Sequence, residues 1–260
     1  SDLPSLNNIH PDFISFGLSA MDPSTMLMSG RPYGGVAVLW RKTLTHLVKP
    51  VTYDDDRIIG LEFRHGETKL LFIGVYLPYC SPSNFDSYVY YLGKLRAIIE
   101  ESDSPYVCAL GDFNADTVKA TEFGKELTSF CDDTRLIMAD VLNLPSDSKT
   151  HVNDGHGTEA WLDHIICTKV FLEIIKSIGI NYSIQSSDHF PLFFHLNIQN
   201  CDVPAVESET TSDRWVVDWM SLSQVELNDY AAAVGNNLAE IDTPCELLQC
   251  EACSDKKHFE

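Results

Sequence analysis

Four short segments carry the side chains best suited to chemistry. Gly111-Asp112-Phe113-Asn114-Ala115-Asp116 ends a buried-type apolar run, Tyr106-Val107-Cys108-Ala109-Leu110. Asp112 and Asn114 are two residues apart, so in extended backbone both side chains point the same way. A carboxylate can hold a metal or a water, and a carboxamide can donate to a phosphate oxygen. Gly, Asp and Asn also build turns, so taken alone the segment equally fits a plain strand-to-turn connection. In Ser186-Ser187-Asp188-His189-Phe190-Pro191-Leu192, adjacent Asp188 and His189 project to different sides of the backbone. They suit separate roles, a metal contact and a base or transition-state donor, although an isolated Asp-His also fits a polar loop before a strand. In Trp161-Leu162-Asp163-His164-Ile165-Ile166, Asp163 lies inside an apolar strand. A carboxylate there is costly unless paired, and His189 is the evident partner. His164 faces the other way and reads as structural. Finally, Val75-Tyr76-Leu77-Pro78 ends a strand with a Tyr whose hydroxyl can donate to a phosphate. A half-buried aromatic at a sheet rim explains a single Tyr equally well.

The elements that must position these residues are mostly short and β-rich. Val36–Trp40 follows Gly34-Gly35, and Arg57–Phe63 and Leu70–Tyr76 flank a turn at Gly66, which reads as a hairpin. A helix is expected over about Asp86–Glu100, capped by Ser83 or Asn84, with Val89, Leu92, Leu95, Ile98 and Ile99 as its apolar face. A second helix is expected over Lys119–Phe130, and further strands over Ala160–Cys167, Glu173–Ile180 and His189–His195. The pattern is that of an α+β domain with two sheets and helices outside.

The chain has 260 residues, 44% of them hydrophobic, enough for a full core. No apolar run reaches the roughly 18 residues of a membrane span, so no membrane association is expected. The net charge is −20, which argues against passive, sequence-independent binding of a polyanion. It does not argue against an enzyme that meets phosphate through a metal ion. The surplus is uneven, because residues 200–260 hold 13 acidic and 3 basic residues. Composition therefore breaks near residue 199. The division expected is a catalytic-type domain over 1–198, an acidic linker over 199–214, and a helical segment with a Cys/His tail over 215–260. A helix is expected from about Ser223 to Leu238. Cys245, Cys250, Cys253 and His258 offer four zinc-type ligands. The Cys250-x2-Cys253 spacing suits structural Zn²⁺, whereas the gap from Cys245 fits an acidic tail with free thiols. Cys108 and Cys167 sit in apolar runs and no dense disulfide framework is visible, so a reducing, nuclear or cytoplasmic setting is expected.

Together the four segments resemble the endonuclease/exonuclease/phosphatase superfamily, the group of pancreatic deoxyribonuclease and the apurinic endonucleases. The matching stretches are VYLPY around Tyr76, GDFNAD around Asp112, WLDHI around Asp163 and SSDHFPL around Asp188, with GGVAVLWRK at 34–42. The resemblance covers about residues 10–198. Its wording is most similar to the endonuclease domain of LINE-type, non-LTR retrotransposon polyproteins. The acidic linker, Trp-bearing helix and Cys/His cluster resemble the segment those polyproteins place before the reverse transcriptase.

The resemblance implies a four-layered α/β sandwich of two mixed sheets flanked by helices, and Mg²⁺- or Mn²⁺-dependent cleavage of phosphodiesters in DNA. It implies that Tyr76 positions the scissile phosphate, Asp112 orients the attacking water or leaving oxygen, and Asn114 donates to phosphoryl oxygens. Asp163 would orient His189, His189 would stabilise the transition state or move a proton, and Asp188 would contact the metal. The family also carries an Asn and a metal-binding Glu on two strands before the GGV strand, yet residues 1–33 contain no Glu. The expectation is therefore a chain lacking those first strands that cleaves DNA weakly or not at all. Two alternatives stand beside the nuclease. One is a hydrolase of the same superfamily acting on a small phosphorylated substrate, and the other is a catalytically silent binding remnant.

Overall fold

The computed structural model describes residues 10–19, 35–53, 55–153, 157–184 and 187–198, with Ser223, Val225 and Asn228. The chain divides into two units, Ser1–Asp202 and Val203–Glu260. In the second unit, Val225 and Asn228 are helical. The expected linker, the rest of the expected helix and the Cys245, Cys250, Cys253, His258 tail lie outside the described residues.

The first unit is built on a six-stranded mixed sheet. Its strands are β3 (Val48–Thr52), β4 (Ile58–His65), β5 (Thr68–Tyr76), β6 (Tyr106–Asp112), β7 (Ile137–Met138) and β10 (Asp163–Cys167). Their spatial order is β3-β4-β5-β6-β10-β7. β4 and β5 form the expected hairpin, turning at Gly66 with φ 57°. β5 and β6 run parallel, which requires a crossover, and helix α1 (Phe85–Glu101) supplies it. β10 then returns antiparallel to β6.

Alternation along the strands divides the core between two faces. Leu71, Ile73 and Val75 of β5 pack with Val107 and Ala109 of β6 against α1 and helix α2 (Glu122–Thr134). Leu70, Cys108, Ile165 and Cys167 lie on the other face, with Phe171 of the short helix α4 (Lys169–Ile174). That face is covered by the hairpin of β11 (Ile175–Ile180) and β12 (Leu192–Leu196), through Ile178, Leu192, Phe194 and Leu196. A second antiparallel pair, β1 (Phe13–Leu18) with β2 (Val36–Arg41), lies over β4 and β5. The fold is thus the expected α+β class, mixed sheets flanked by helices. Among the described residues, no helix is long and apolar enough to cross a membrane. The four described cysteines are free thiols, with Cys108, Cys131 and Cys167 buried.

Several boundaries differ from the sequence expectation for local reasons. On α1, Val89 is exposed and Tyr88 takes the core position, its ring stacked on Phe123 at 4.1 Å. Positions 88, 92 and 95 keep helical spacing, and Val89 lies about 100° off that stripe. α2 begins at Glu122 rather than Lys119 because the Thr121 hydroxyl accepts the Gly124 N–H at 3.1 Å, an N-cap. It continues past Phe130 to Thr134 and stops at Arg135 in the left-handed conformation. The expected strand at Ala160–Cys167 is two pieces. β9 (Thr158–Ala160) pairs with β8 (His151–Asn153), and β10 starts only at Asp163. Residues 169–174 are helical, so β11 starts at Ile175 rather than Glu173. Strand structure begins at Leu192 rather than His189, which makes only a single bridge to His151.

His164 is fully buried, as its structural reading expected. Its Nε2 lies 2.8 Å from the Ala115 carbonyl, so that nitrogen carries hydrogen, and its Nδ1 lies 2.8 Å from Asp140 Oδ2. Burial alone would lower its pKa, but the Asp140 carboxylate outweighs burial and raises it. Asp140 Oδ1 also accepts the Ile165 N–H at 2.9 Å. Helix α3 (Ala139–Asn143), β10 and the loop after β6 are thereby tied at one point.

Gly111 needs its missing side chain. Its φ is 137°, and a Cβ there would sit 2.1 Å from the Val75 carbonyl oxygen. Gly66 also has positive φ, but a Cβ there meets nothing within 4 Å. Gly66→Ala is therefore expected to cost only about 1 kcal/mol of left-handed strain. Gly111→Ala adds a backbone clash between paired strands and is expected to cost more than about 3 kcal/mol, or to prevent folding. Urea unfolding of the two variants checks the contrast, and equal losses would contradict it.

Candidate functional site

Strand pairing brings three of the four motifs to one end of the main sheet. In the parallel register Tyr76 is opposite Asp112, and in the antiparallel register Asp112 is opposite Asp163. Register partners share a face, so the three side chains stand in a row across β5, β6 and β10. The fourth motif arrives from the segment before β12. His189 Nδ1 lies 2.7 Å from Asp163 Oδ2, the expected pairing. That bond leaves Nε2 facing Asp112, 4.0 Å from its Oδ2. A cleft of about 290 Å³ opens here, lined by Gly111, Asp163, His189, Phe190 and Leu192.

Local bonds fix Asp112. Asn114 has φ 51°, a turn conformation that Asn tolerates. From there its backbone N–H donates to Asp112 Oδ1 at 2.8 Å. Its side-chain amide donates to Asp112 Oδ2 at 3.1 Å and to the Leu77 carbonyl at 2.9 Å. Asn114 thus spends its donors on orienting Asp112 and the turn after β5. Burial, and then the charge of Asp163, push the Asp112 pKa up to about 6. Burial disfavours the His189 imidazolium, but the Asp163 hydrogen bond and charge outweigh it and raise the His189 pKa. Asp188 is half-exposed. Burial opposes its charge, yet the Ser187 hydroxyl at 3.2 Å and its own backbone hold it below the usual carboxylate range.

Two residues that sequence reasoning passed over complete the arrangement. Thr150 is fully buried, and its hydroxyl lies 3.0 Å from both the Leu162 and Asp163 N–H groups, which donate to it. Its carbonyl accepts the Phe190 N–H at 2.7 Å. One residue therefore holds the backbone at both members of the Asp163–His189 pair. His151 packs its ring edge-on against His189, 4.8 Å between centroids, with Nε2 3.8 Å from Asp188 Oδ2. Burial, and then the charge of His189, lower the His151 pKa. Neither residue stands in an apolar run or a recognisable motif, so only the strand pairing of 150–153 signals them.

Among the described residues, no three His, Cys, Asp or Glu side chains converge as a metal site. Asp112 spends both oxygens on Asn114, and the oxygens of Asp188 face Ser187 and His151. One partner per oxygen leaves further lone pairs, so Asp112 and Asp188 keep acceptor capacity for a water or a cation.

The raised pKa of Asp112 predicts a stability cost. An acid whose pKa rises on folding stabilises the fold most below its unfolded pKa, about 3.9, and loses that contribution as pH rises through about 6. Neutralising it removes the loss. Asp112→Asn is thus expected to be more stable than the parent at pH 8, by about 1–3 kcal/mol or a few degrees of Tm. The difference should vanish near pH 4. Thermal melts across that range check it, and a gain independent of pH would contradict the assignment.

Compared with curated protein sequences, the chain matches none. Solved structures share its fold. The endonuclease domain of TRAS1, a telomere-specific non-LTR retrotransposon, aligns with a TM-score of 0.57 at 17% identity, covering 74% of this chain and 83% of that one. The 3′ phosphatase NExo from Neisseria, bound to a product DNA hairpin, aligns with a TM-score of 0.52 at 16% identity, covering 75% and 92%. The AP endonuclease LMAP from Leishmania major gives a TM-score of 0.57 at 10% identity, covering 72% and 71%. Identities this low speak for the fold alone. The family assignment rests on the sequence itself, which matches the Endonuclease/Exonuclease/phosphatase family model over residues 3–189, most of the chain, and the protein therefore belongs to that family.

Proposed function

We propose that this protein is a phosphodiester hydrolase acting on DNA, an endonuclease domain of a non-LTR retrotransposon protein. The observation that carries the chemistry is the 4.0 Å gap between His189 Nε2 and Asp112 Oδ2. The gap is too long for a direct hydrogen bond and right for one oxygen atom about 2.8 Å from each. Asp112, ionised above about pH 6, accepts a proton from the water held in that gap as its oxygen bonds to phosphorus; the P–O bond to the leaving oxygen breaks and that oxygen takes a proton from solvent. His189, held through Nδ1 by Asp163, presents Nε2–H to a phosphoryl oxygen as charge builds on it. Tyr76, in the same row, positions the phosphate. Asn114 joins by exchanging its longer bond, to Asp112, for a phosphoryl oxygen. The proposal includes dependence on Mg²⁺ or Mn²⁺ with Asp188 as a contact, on the family resemblance.

DNA is preferred as substrate because the wording of the four motifs resembles that of retroelement endonucleases and because TRAS1 and NExo, whose fold this chain shares, are described as an endonuclease domain and as a phosphatase bound to a DNA hairpin. Linkage to a reverse transcriptase in one polyprotein, and structural Zn²⁺ on Cys245, Cys250, Cys253 and His258, belong to the same proposal and rest on the sequence of residues 200–260. The net charge of −20 favours a second reading, a phosphatase for a small phosphorylated substrate.

Nicking of supercoiled plasmid with Mg²⁺ or Mn²⁺, beside release of phosphate from a 3′-phosphorylated oligonucleotide and from small phosphate monoesters, separates the readings. Weak nicking is expected, since residues 1–33 supply no Glu, with a further loss of about a hundredfold or more in His189→Ala and a smaller one in Asp163→Asn. The nicking rate should rise with pH through about 6 as Asp112 ionises. Hydrolysis of small monoesters without nicking would support the second reading. Unchanged rates in His189→Ala would overturn the site.

A further inference from the structure

The row of site residues extends one strand further than the four motifs. β4 lies beside β5 in the sheet, with Ile58 opposite Val75. Arg57 immediately precedes β4, and its carbonyl accepts the Tyr76 N–H at 2.9 Å. Arg57, Tyr76, Asp112 and Asp163 therefore occupy consecutive places along one sheet end, a cation followed by a phenol and two carboxylates.

The Arg57 guanidinium is held as a rigid group. Its carbon lies 5.5 Å from the Tyr76 ring centroid and 5.7 Å from that of Tyr91 on α1. One N–H donates to the Tyr76 carbonyl at 3.0 Å. The nearby Asp55 does not neutralise it, because its two oxygens take the Arg57 backbone N–H at 2.7 Å and Lys94 Nζ at 2.6 Å. Among the described residues, no carboxylate lies within ion-pairing distance of this guanidinium, and Tyr76 takes the one N–H bond it makes. Guanidinium stacked on aromatic rings with spare N–H donors suits an oxygen-rich anion, since a planar fork can donate two parallel bonds. Asp55 and Asp56 precede it in the chain, yet neither pairs with the guanidinium, so its spare N–H donors beside Tyr76 stay open to an anion.

We propose that Arg57 is a substrate-binding residue that holds a backbone phosphate of the nucleic acid next to the one being cleaved. The inference rests on the reading of the site as a phosphodiester hydrolase. It adds a specificity element, because a small monoester has no second phosphate to place there.

The test is duplex DNA binding by the full chain, measured by fluorescence anisotropy from 50 to 200 mM salt, for the parent, Arg57→Gln and Arg57→Lys. Removing one cation that pairs with a phosphate should reduce the slope of log K against log salt by about 0.9. Arg57→Gln is expected to show that reduction. Arg57→Lys keeps the charge and should keep the slope, with affinity several-fold weaker through loss of the stacked fork. A role confined to supporting Tyr76 would weaken binding in Arg57→Gln without moving the slope, and that result would overturn the inference. A second arm follows the Arg57 Nε–Hε NMR signal during titration with inorganic phosphate, where a shift absent from the other arginines is expected. DNA binding with an unchanged slope and no phosphate shift would sink the inference and leave the hydrolase reading standing. A phosphate shift without DNA binding would keep Arg57 as a phosphate site and remove DNA as substrate. Neither response would overturn both.

Discussion

Two carboxylates face each other at the ends of neighbouring strands, and the site depends on how that conflict is relieved. Antiparallel pairing of β6 with β10 puts Asp112 opposite Asp163. Like charges directly across a strand pair repel, and burial deepens the penalty. The protein meets this by giving the two groups different partners. Asp163 takes the His189 ring, while Asp112 takes the backbone and side-chain amides of Asn114 and keeps a pKa near 6. The outcome is one carboxylate committed to an imidazole and a second held close to neutrality, ready to exchange a proton at ordinary pH.

The scaffold supports this arrangement with contacts behind and beside the cleft. Gly111 lets β6 approach the Val75 carbonyl at the last step before Asp112. The buried His164–Asp140 pair anchors β10, α3 and the loop that carries Asn114. Removing one partner of such a pair leaves a buried uncompensated group, so it stabilises chiefly by making other arrangements costly. Thr150 couples the start of β10 to the segment carrying His189. The distance between Asp163 and His189 is thus set by three backbone hydrogen bonds as much as by their own contact.

Charge is distributed in the same spirit. The two neighbouring imidazoles are pushed in opposite directions, His189 up by its carboxylates and His151 down by burial and by His189. Burial and neighbouring charge thereby push the proton affinities of two similar groups apart. At the opposite end of the row Arg57 adds positive charge where the sheet meets α1.

The kind of fold and most of the site's membership were legible in the order of residues. Apolar runs ending in GDFN and VYLP mark strand ends, and the Asp of WLDHI marks a charge that needs a partner, although it opens β10 rather than lying inside a strand. The same reading marked His164 as structural and His189 as the partner of Asp163, since parity along a strand is a local property. Register, spatial neighbourhood and electrostatics came from the packed chain alone. Nothing local to Arg57 or Thr150 says that β4 lies beside β5, or that residue 150 lies under Asp163. Val89 and Tyr88 changed places on α1 because the phase of a helix against its sheet is set by the partner surface. The pKa of Asp112 was likewise invisible, because it depends on burial in the packed chain and then on a carboxylate 51 residues away that strand pairing brings alongside.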